Sequence, residues 1–509
     1  MLAPLLVDCF KTTSTEQRIA AASVARRISG GGAPRNSVEV GPGWSVESWA
    51  QANARVVSAA LSAAGVPHFL MPAMNWLDPV LVMDRASHRV AQGVLKELSG
   101  QPGWRLTQHG TRMRRDAHAG AIALETGRAT VSCQWWRCVE EPAPRSDGGL
   151  YAPRTLVAQK GEVPGLFSYV SEAQWLELTK NPLDQGWDPL VEQVAEPIDA
   201  VYTWVDGSDP EWIHRKNQTL AGYDPTSVNA TALSLARFRN HDELRYSLRS
   251  LQMNAPWIRR VYIVTDRQVP EWLVRDHPQV TVVDHRDIFS DASALPVFNS
   301  HSIESQLHHI KGLSDRYLYL NDDVFFGRPT TAEQFFGPGG VTKFFPSTST
   351  LDLQPPSSQD LPIVSAGKNN RRIMHQLYGR RITRRMKHTP HPQNRELLQR
   401  FEDKHPEVFA SVVSSAFRHP SDVSIPAALH PYLALMDGRA HEGKLSYDFF
   451  DLGDSQVEAR WAKLLVRRDL DVFCINETES SLPSTERVDA ALGAILEQLF
   501  PVPSSAERT

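Results

Sequence analysis

Four apolar runs in the second half of the chain each stop at an acidic residue, and that repeated ending constrains the fold more than any other feature. Residues 198–205 run into Asp206, 260–265 into Asp266, 280–283 into Asp284, and 316–320 into Asn321, Asp322 and Asp323. Between them lie segments with helical spacing: Leu244, Leu248 and Leu251 within 242–253, then Ile303, Leu307 and Ile310 within 300–311. Apolar strands alternating with helices predict an α/β fold, a Rossmann-like and mostly parallel sheet covered on both faces. Such sheets bind ligands beyond the carboxyl ends of their strands. A lone Asp there is usually a turn former or a helix cap. Four acidic strand ends on one rim repel one another unless a cation or a donor-rich ligand compensates.

The remaining sequence divides by its rhythm. Residues 1–40, with Gly30-Gly31-Gly32-Ala33-Pro34, read as a poorly ordered segment ending in a linker. Residues 41–165 read as a small accessory α+β domain, with helices at 46–64 and 86–98 and strands at 66–71, 80–83, 121–124 and 130–136. Residues 166–196 form a connector, and 197–509 the catalytic domain with a helical C-terminal part. Past Asp323 the pattern turns helical and basic. Lys368, Arg371, Arg372, Arg380, Arg381, Arg384, Arg385 and Lys387 crowd together, as a solvated helix face or as a funnel for a polyanion such as a pyrophosphate.

Composition narrows the partners. A net charge of −4 argues against nucleic acid, which needs a clustered basic face. Cys9, Cys133, Cys138 and Cys474 are too sparse for a disulfide framework and read as free thiols in a reducing compartment. Cys133 and Cys138 alone cannot close a zinc site. The apolar start meets Asp8 too early for a signal segment, and no later run would span a bilayer. The expectation is a cytoplasmic chain with at most peripheral membrane contact.

Specific blocks then carry a resemblance. Residues 198–209 (IDAVYTWVDGSD) resemble the first conserved block of the Stealth family, the bacterial capsule polysaccharide phosphotransferases and the catalytic subunit of animal GlcNAc-1-phosphotransferase. Residues 238–250 (FRNHDELRYSLRS), 256–258 (PWI), 299–304 (NSHSIE) and 319–326 (YLNDDVFF) resemble its second block. Residues 388–391 (HTPH) with 417–422 (FRHPSD) resemble the third, and 474–477 (CINE) with 499–504 (LFPVPS) the fourth. Where the animal relatives tend to read Asn-Asp, this chain has Asn476-Glu477. The first 190 or so residues lie outside the resemblance.

The resemblance implies transfer of a hexose-1-phosphate, GlcNAc-1-phosphate first among the candidates, from a UDP-sugar to a hydroxyl of a polysaccharide or glycan acceptor, with release of UMP. It implies catalytic roles for Asp323, His388, Glu304 and Arg418. Carboxylates at a strand end suit Mg2+ or another divalent cation, so Asp322 and Asp323 are the metal candidates. His388 is the candidate proton acceptor; Pro390 keeps the chain extended so that His391 can face the same site. Arg418 can clamp phosphate oxygens. Asp206, Asp209, Asn240, Glu243, Arg245, His301, Asn321, His391 and Asn476 are the substrate-binding candidates. Arg245 and Arg249, four apart on one helix face, could flank a phosphate or equally face solvent.

Each assignment has a plainer counterpart: an Asx-turn for Asp322, a turn and a cap for Asp206 and Asp209, an i,i+4 partner in His308 for Glu304. Two other functions fit the same residues, a metal-dependent glycosyltransferase releasing UDP and a non-catalytic nucleotide-sugar or carbohydrate-binding protein.

Overall fold

The computed structural model describes residues 37–71, 79–107, 112–119, 122–124, 130–158, 167–188, 190–223, 240–477 and 486–508. Most of the segment expected to be poorly ordered, and Phe238-Arg239 of the second block, lie outside these residues.

The sheet expected from the apolar runs is present. Its strands are β1 (Ile198–Thr203), β2 (Ile258–Thr265), β3 (Val280–Asp284) and β4 (Arg316–Asn321), in spatial order β3-β2-β1-β4 and all parallel. Strand β5 (Val324–Phe326) leaves this sheet at once, and β6 (His391–Asn394) closes its edge antiparallel to β4. Burial on both faces explains the unbroken apolar runs. Ala200 and Tyr202 of β1 face one core with Leu318 and Leu320, while Val201 faces the other with Tyr317 and Tyr319.

A second, three-stranded sheet joins β5 to β7 (Tyr447–Asp451) and β8 (Val472–Asn476). Helix α1 (Pro210–Ala221) follows β1, and α2 (Glu243–Asn254) packs its Leu244, Leu248 and Leu251 onto the sheet.

Two local expectations change. The helix expected over 300–311 is α3 (Ser300–Glu304) followed by a 3-10 turn at Leu307–His309. Ser305 Oγ donates to the Ser302 carbonyl at 2.7 Å, and short polar side chains that take carbonyls this way interrupt helices. The chain after Asp323 does not turn helical at once: strands at Val341–Phe344 and Pro346–Thr350 precede α4 (Pro362–Tyr378).

In the N-terminal part, strand Thr130–Val139 runs parallel to Val80–Asp84 and antiparallel to Arg112–Ala119 and Thr155–Val157. The sheet also takes in Tyr169–Val170, beyond residue 165. Helix Val46–Ala63 begins in a Ser45/Ser48 capping box and serves two cores. Ala54, Val57 and Leu61 face the accessory sheet, whereas Val46, Trp49 and Ala50 pack with Phe325, Phe473 and Phe500.

The segment around Glu507 locks onto α2. Glu507 accepts from Arg249 Nε and Nη2, both at 2.7 Å, and from Arg245 Nε at 2.6 Å. The Glu507 and Arg249 side chains are 1% and 4% exposed, so removing the carboxylate strands a buried guanidinium. Glu507→Ala is expected to cost about 3 kcal/mol, the low end for an interrupted buried pair, because Glu497 still reaches Arg249. Urea denaturation checks this; an unchanged midpoint would show that the pair contributes no net stability.

Candidate active site

The strand order reverses between β1 and β4, and in open α/β sheets that reversal opens a crevice at the carboxyl ends of the two strands. Thr203 of β1 pairs with Asn321 of β4 there, and Asp322 and Asp323 follow directly.

The turn into β5 fixes Asp323. Val324 pairs with Cys474 of β8, and the Ile475 amide donates to the Asp323 carbonyl at 3.1 Å. Residues two apart on a strand share a face, so Cys474 and Asn476 both point at the Asp323 carboxylate. Asn476 Nδ2 donates to Oδ2 at 2.5 Å, and the Cys474 thiol lies 3.3 Å from the same oxygen. From the opposite side His388 Nε2 reaches Oδ1 at 3.0 Å. His388 sits just ahead of β6, where His391 pairs with Tyr319 in register and stacks on its ring.

Charge follows from these contacts. Burial raises the Asp323 pKa, but the adjacent His388 charge and the three hydrogen bonds outweigh it and hold the carboxyl below its usual range. Burial likewise works against a charged His388, and Asp323 overrides it, so the His388 pKa is raised. Asp322 and Glu243 take the opposite course. Burial and the Asp323 charge push Asp322 up to about 7. Burial and the Asp322 charge push Glu243 up to about 8. Glu243 is brought in by Asp242, whose left-handed backbone (φ 63°) turns the chain into α2, and it accepts from the His241 amide at 2.6 Å.

A second group adjoins the pair. Glu304 is buried, accepts from Ser424 Oγ at 2.8 Å, and is also hydrogen-bonded to Tyr319. Burial raises its pKa against the opposing charges of His301 and Arg418. Arg418 Nη2 donates to Ser300 Oγ at 2.8 Å, and its charge also acts on His388. His301 Nδ1 lies 3.6 Å from Asp422 Oδ2. His391 is driven down to about 3 by burial and by the His388 charge, so it is neutral at working pH. Asp323, His388, Glu304, Arg418, His301, His391 and Asn476 therefore form one electrostatically connected group.

Other candidates have structural partners of their own. Arg245 and Arg249 are both bound by Glu507. Asp209 caps α1 through the Glu211 amide and accepts from Gln268. Asp206 closes an Asx-turn on Ser208, and Asn240 does the same for the Asp242 amide. His308 is not the partner of Glu304; it bonds Glu402. The basic stretch is partly structural, since Lys368 is buried against Asp352 and Asp360 and Arg384 pairs with Glu442.

Sequence reasoning overlooked three members. Cys474 and Ser424 face Asp323 and Glu304 as plain core residues would, and only the long-range packing of the folded chain reveals them. Tyr319 had a usable signal, a tyrosine three residues before Asp322 at the strand's end.

Comparison with known proteins identifies the family. The models for Stealth protein conserved regions 1, 2 and 3 match residues 196–224, 237–344 and 387–435. Exopolysaccharide phosphotransferase SCO6021 of Streptomyces coelicolor is 34% identical over 97% of this chain and 99% of its own length. The chain belongs to the Stealth family. Exopolysaccharide phosphotransferase SCO6023 of the same organism is 47% identical to this Stealth chain over 63% of it, and exopolysaccharide phosphotransferase CpsY of Mycobacterium tuberculosis 40% over 64%. The matched part spans 54% of SCO6023 and 61% of CpsY. A crystal structure of the galactosyltransferase LgtC with donor and acceptor sugar analogues aligns with 60% of this Stealth chain and 96% of that chain, at 11% identity and a TM-score of 0.31, too loose a likeness to bear on chemistry.

The carboxylates fit a hard divalent cation. Asp322 and Glu243 supply only oxygen donors, and burial first, then a neighbouring carboxylate charge, raises both pKa values. The sign of the linkage can be tested. A carboxyl whose folded pKa is raised contributes stability that is fully present below its unfolded pKa, near 4, and is lost as pH climbs through about 7 to 8. The chelated protein should therefore lose thermal stability between roughly pH 4 and 8 from these two groups. Glu243→Gln or Asp322→Asn should flatten that slope, and so should added Mg2+, as read by differential scanning fluorimetry. Equal slopes in all samples would refute the coupling.

Proposed function

We propose that this chain transfers a hexose-1-phosphate, with GlcNAc-1-phosphate as the first candidate, from a UDP-sugar to a hydroxyl of a glycan acceptor in exopolysaccharide or capsule synthesis, releasing UMP. One observation carries the reading: at the sheet's reversal point, Asp323 is clamped between His388 and Asn476 with the Arg418 charge alongside. The names of SCO6021, SCO6023 and CpsY support it.

Phosphoryl transfer depends on positioning and charge neutralisation more than on covalent help. The acceptor oxygen attacks the sugar-bearing phosphorus, forming one P–O bond while the bridging P–O bond to UMP breaks. The sugar's own C–O bond stays intact, so its anomeric configuration is kept. Arg418 neutralises phosphate oxygens, and the neutral His391 and Asn321 line the same rim for the sugar or acceptor. A divalent cation held by Asp322 and Glu243, with Asp323 adjoining, would offset the diphosphate charge.

His388 takes the acceptor proton. Its Nε2 is committed to Asp323, which leaves Nδ1 for exchange. Because Asp323 raises its pKa, His388 accepts a proton only above the ordinary histidine range. Among the described residues no helix is long and apolar enough to cross a membrane; we place the chain in the cytoplasm, touching membrane-bound machinery from outside the bilayer.

Incubation with UDP-GlcNAc and a glycan acceptor should yield UMP and a phosphodiester-linked product by mass spectrometry; UDP instead would establish a glycosyltransferase, and no turnover a binding protein. Chelation should abolish turnover and Mg2+ restore it. His388→Ala should lower kcat about 10²–10⁴-fold. The acid limb of the wild-type rate profile should lie above the ordinary histidine value of 6.5. Asp323→Asn removes the anion that raises it, so its residual activity should show that limb at lower pH. An unmoved limb would remove His388 as the base.

A further inference from the structure

The 3-10 turn between α3 and β4 holds a side-chain group that the proposed reaction does not use. His308 Nε2 lies 2.6 Å, and His309 Nε2 2.7 Å, from the same oxygen, Glu402 Oε2. Glu402 comes from the helix Arg395–Lys404, about ninety residues further along the chain. The His308 side chain is fully buried, while those of His309 and Glu402 are 19% and 16% exposed.

We propose that His308, His309 and Glu402 bind a zinc-type divalent transition-metal ion that ties the turn before β4 to this helix. Two imidazole nitrogens and one carboxylate oxygen converging on a point make a common zinc donor set, with water as the fourth ligand. The tautomer geometry supports it. His309 Nδ1 lies 2.8 Å from the Ile288 carbonyl, which can only accept, so Nδ1 carries a proton. An imidazole oriented by an Nδ1–H bond to a carbonyl, with Nε2 directed at a shared point, is arranged as metal-bound histidines are. In the neutral ring the Nε2 lone pair faces the Glu402 oxygen, so a proton or a metal ion must lie between them.

The electrostatics allow either occupant. Burial, with the Arg395 charge behind it, lowers the His308 pKa, whereas the hydrogen bonds to Glu402 and Ile288 outweigh burial and raise that of His309. Two hydrogen bonds hold Glu402 ionised against burial, its pKa drawn down to about 2. Metal entry displaces the Nε2 protons and opens the N···O separations to about 3.3 Å, the spacing of ligands about 2.0–2.1 Å from a tetrahedral zinc. That is an outward shift of several tenths of an ångström, which the exposed edges of His309 and Glu402 permit. The turn follows α3 with Glu304 and precedes β4, which Asp322 and Asp323 follow, so the ion would brace both acidic elements of the crevice.

Zinc content is measured on the full chain after loading with Zn2+ and dialysis. Asp323, His388 and Cys474 form a second group of possible ligands, so the difference from variants is read, not the total. Wild type is expected to retain one more zinc per chain than His309→Gln or Glu402→Gln, with both variants shown folded by circular dichroism. Cobalt substitution should give a visible d–d band in wild type that weakens in each variant. His309 is chosen because it is the more exposed histidine; if Glu402→Gln fails to fold, His309→Gln with the cobalt spectrum decides alone. Zinc content and cobalt spectra equal to wild type in the folded variants would overturn the proposal and leave a proton-filled hydrogen-bonded clamp.

Discussion

The Asp323 carboxylate is the contact on which the crevice depends. It is buried, yet it accepts from His388 on one side and from Asn476 and Cys474 on the other. A buried carboxylate is tolerable only when its oxygens are satisfied or its charge is paired. The donors come from a loop ahead of β6 and from β8, so satisfying this one group requires the edge of the main sheet and the whole of the second sheet to meet at the end of β4. Fold and site are therefore set by the same few bonds.

Its neighbours show the other solution to the same problem. For Asp322 and Glu243 burial outweighs their hydrogen bonds, and their pKa values rise where that of Asp323 falls. Three neighbouring carboxyls thus divide into one whose pKa is lowered and two whose pKa values are raised. Pairs of titratable groups pushed apart in this way mark working sites more often than inert ones. Glu304 extends the pattern, since it is buried and raised but has Ser424 and Tyr319 as partners.

Much of the architecture was legible in the sequence because burial on both faces leaves a direct trace. The apolar runs before Asp206, Asp266, Asp284 and Asn321 correspond to the four parallel strands, and helix 242–253 differs from α2 by a residue at each end. The site was legible only where chemistry and strand ends coincide, at Asp322 and Asp323, and through the family blocks for His388, Glu304, Arg418 and Asn476. What stayed hidden depends on long-range pairing. Nothing local says that Arg245 and Arg249 are taken by Glu507, that Cys474 faces Asp323, or that His308 prefers Glu402 to Glu304. The shortened α3 was hidden for a different reason: apolar spacing carried the helical pattern, while Ser302 and Ser305 broke the backbone ladder beneath it.

The fate of the basic stretch bears on where anion recognition falls. A funnel of many cations attracts a diphosphate at long range but does not orient it. Here Lys368 is consumed by Asp352 and Asp360, Arg371 by the Asp352 and Gln354 carbonyls, and Arg384 by Glu442. Arg418 is different because its charge acts on both Glu304 and His388. Under the proposed reaction, a guanidinium set among ionisable groups would discriminate by geometry, favouring a ligand whose negative oxygens face Arg418 and avoid Asp323. Under the proposed reaction, such a site favours a diphosphate whose charge is partly neutralised at the Asp322–Glu243 side, which places the demand for a cation and the demand for Arg418 on opposite ends of the same substrate.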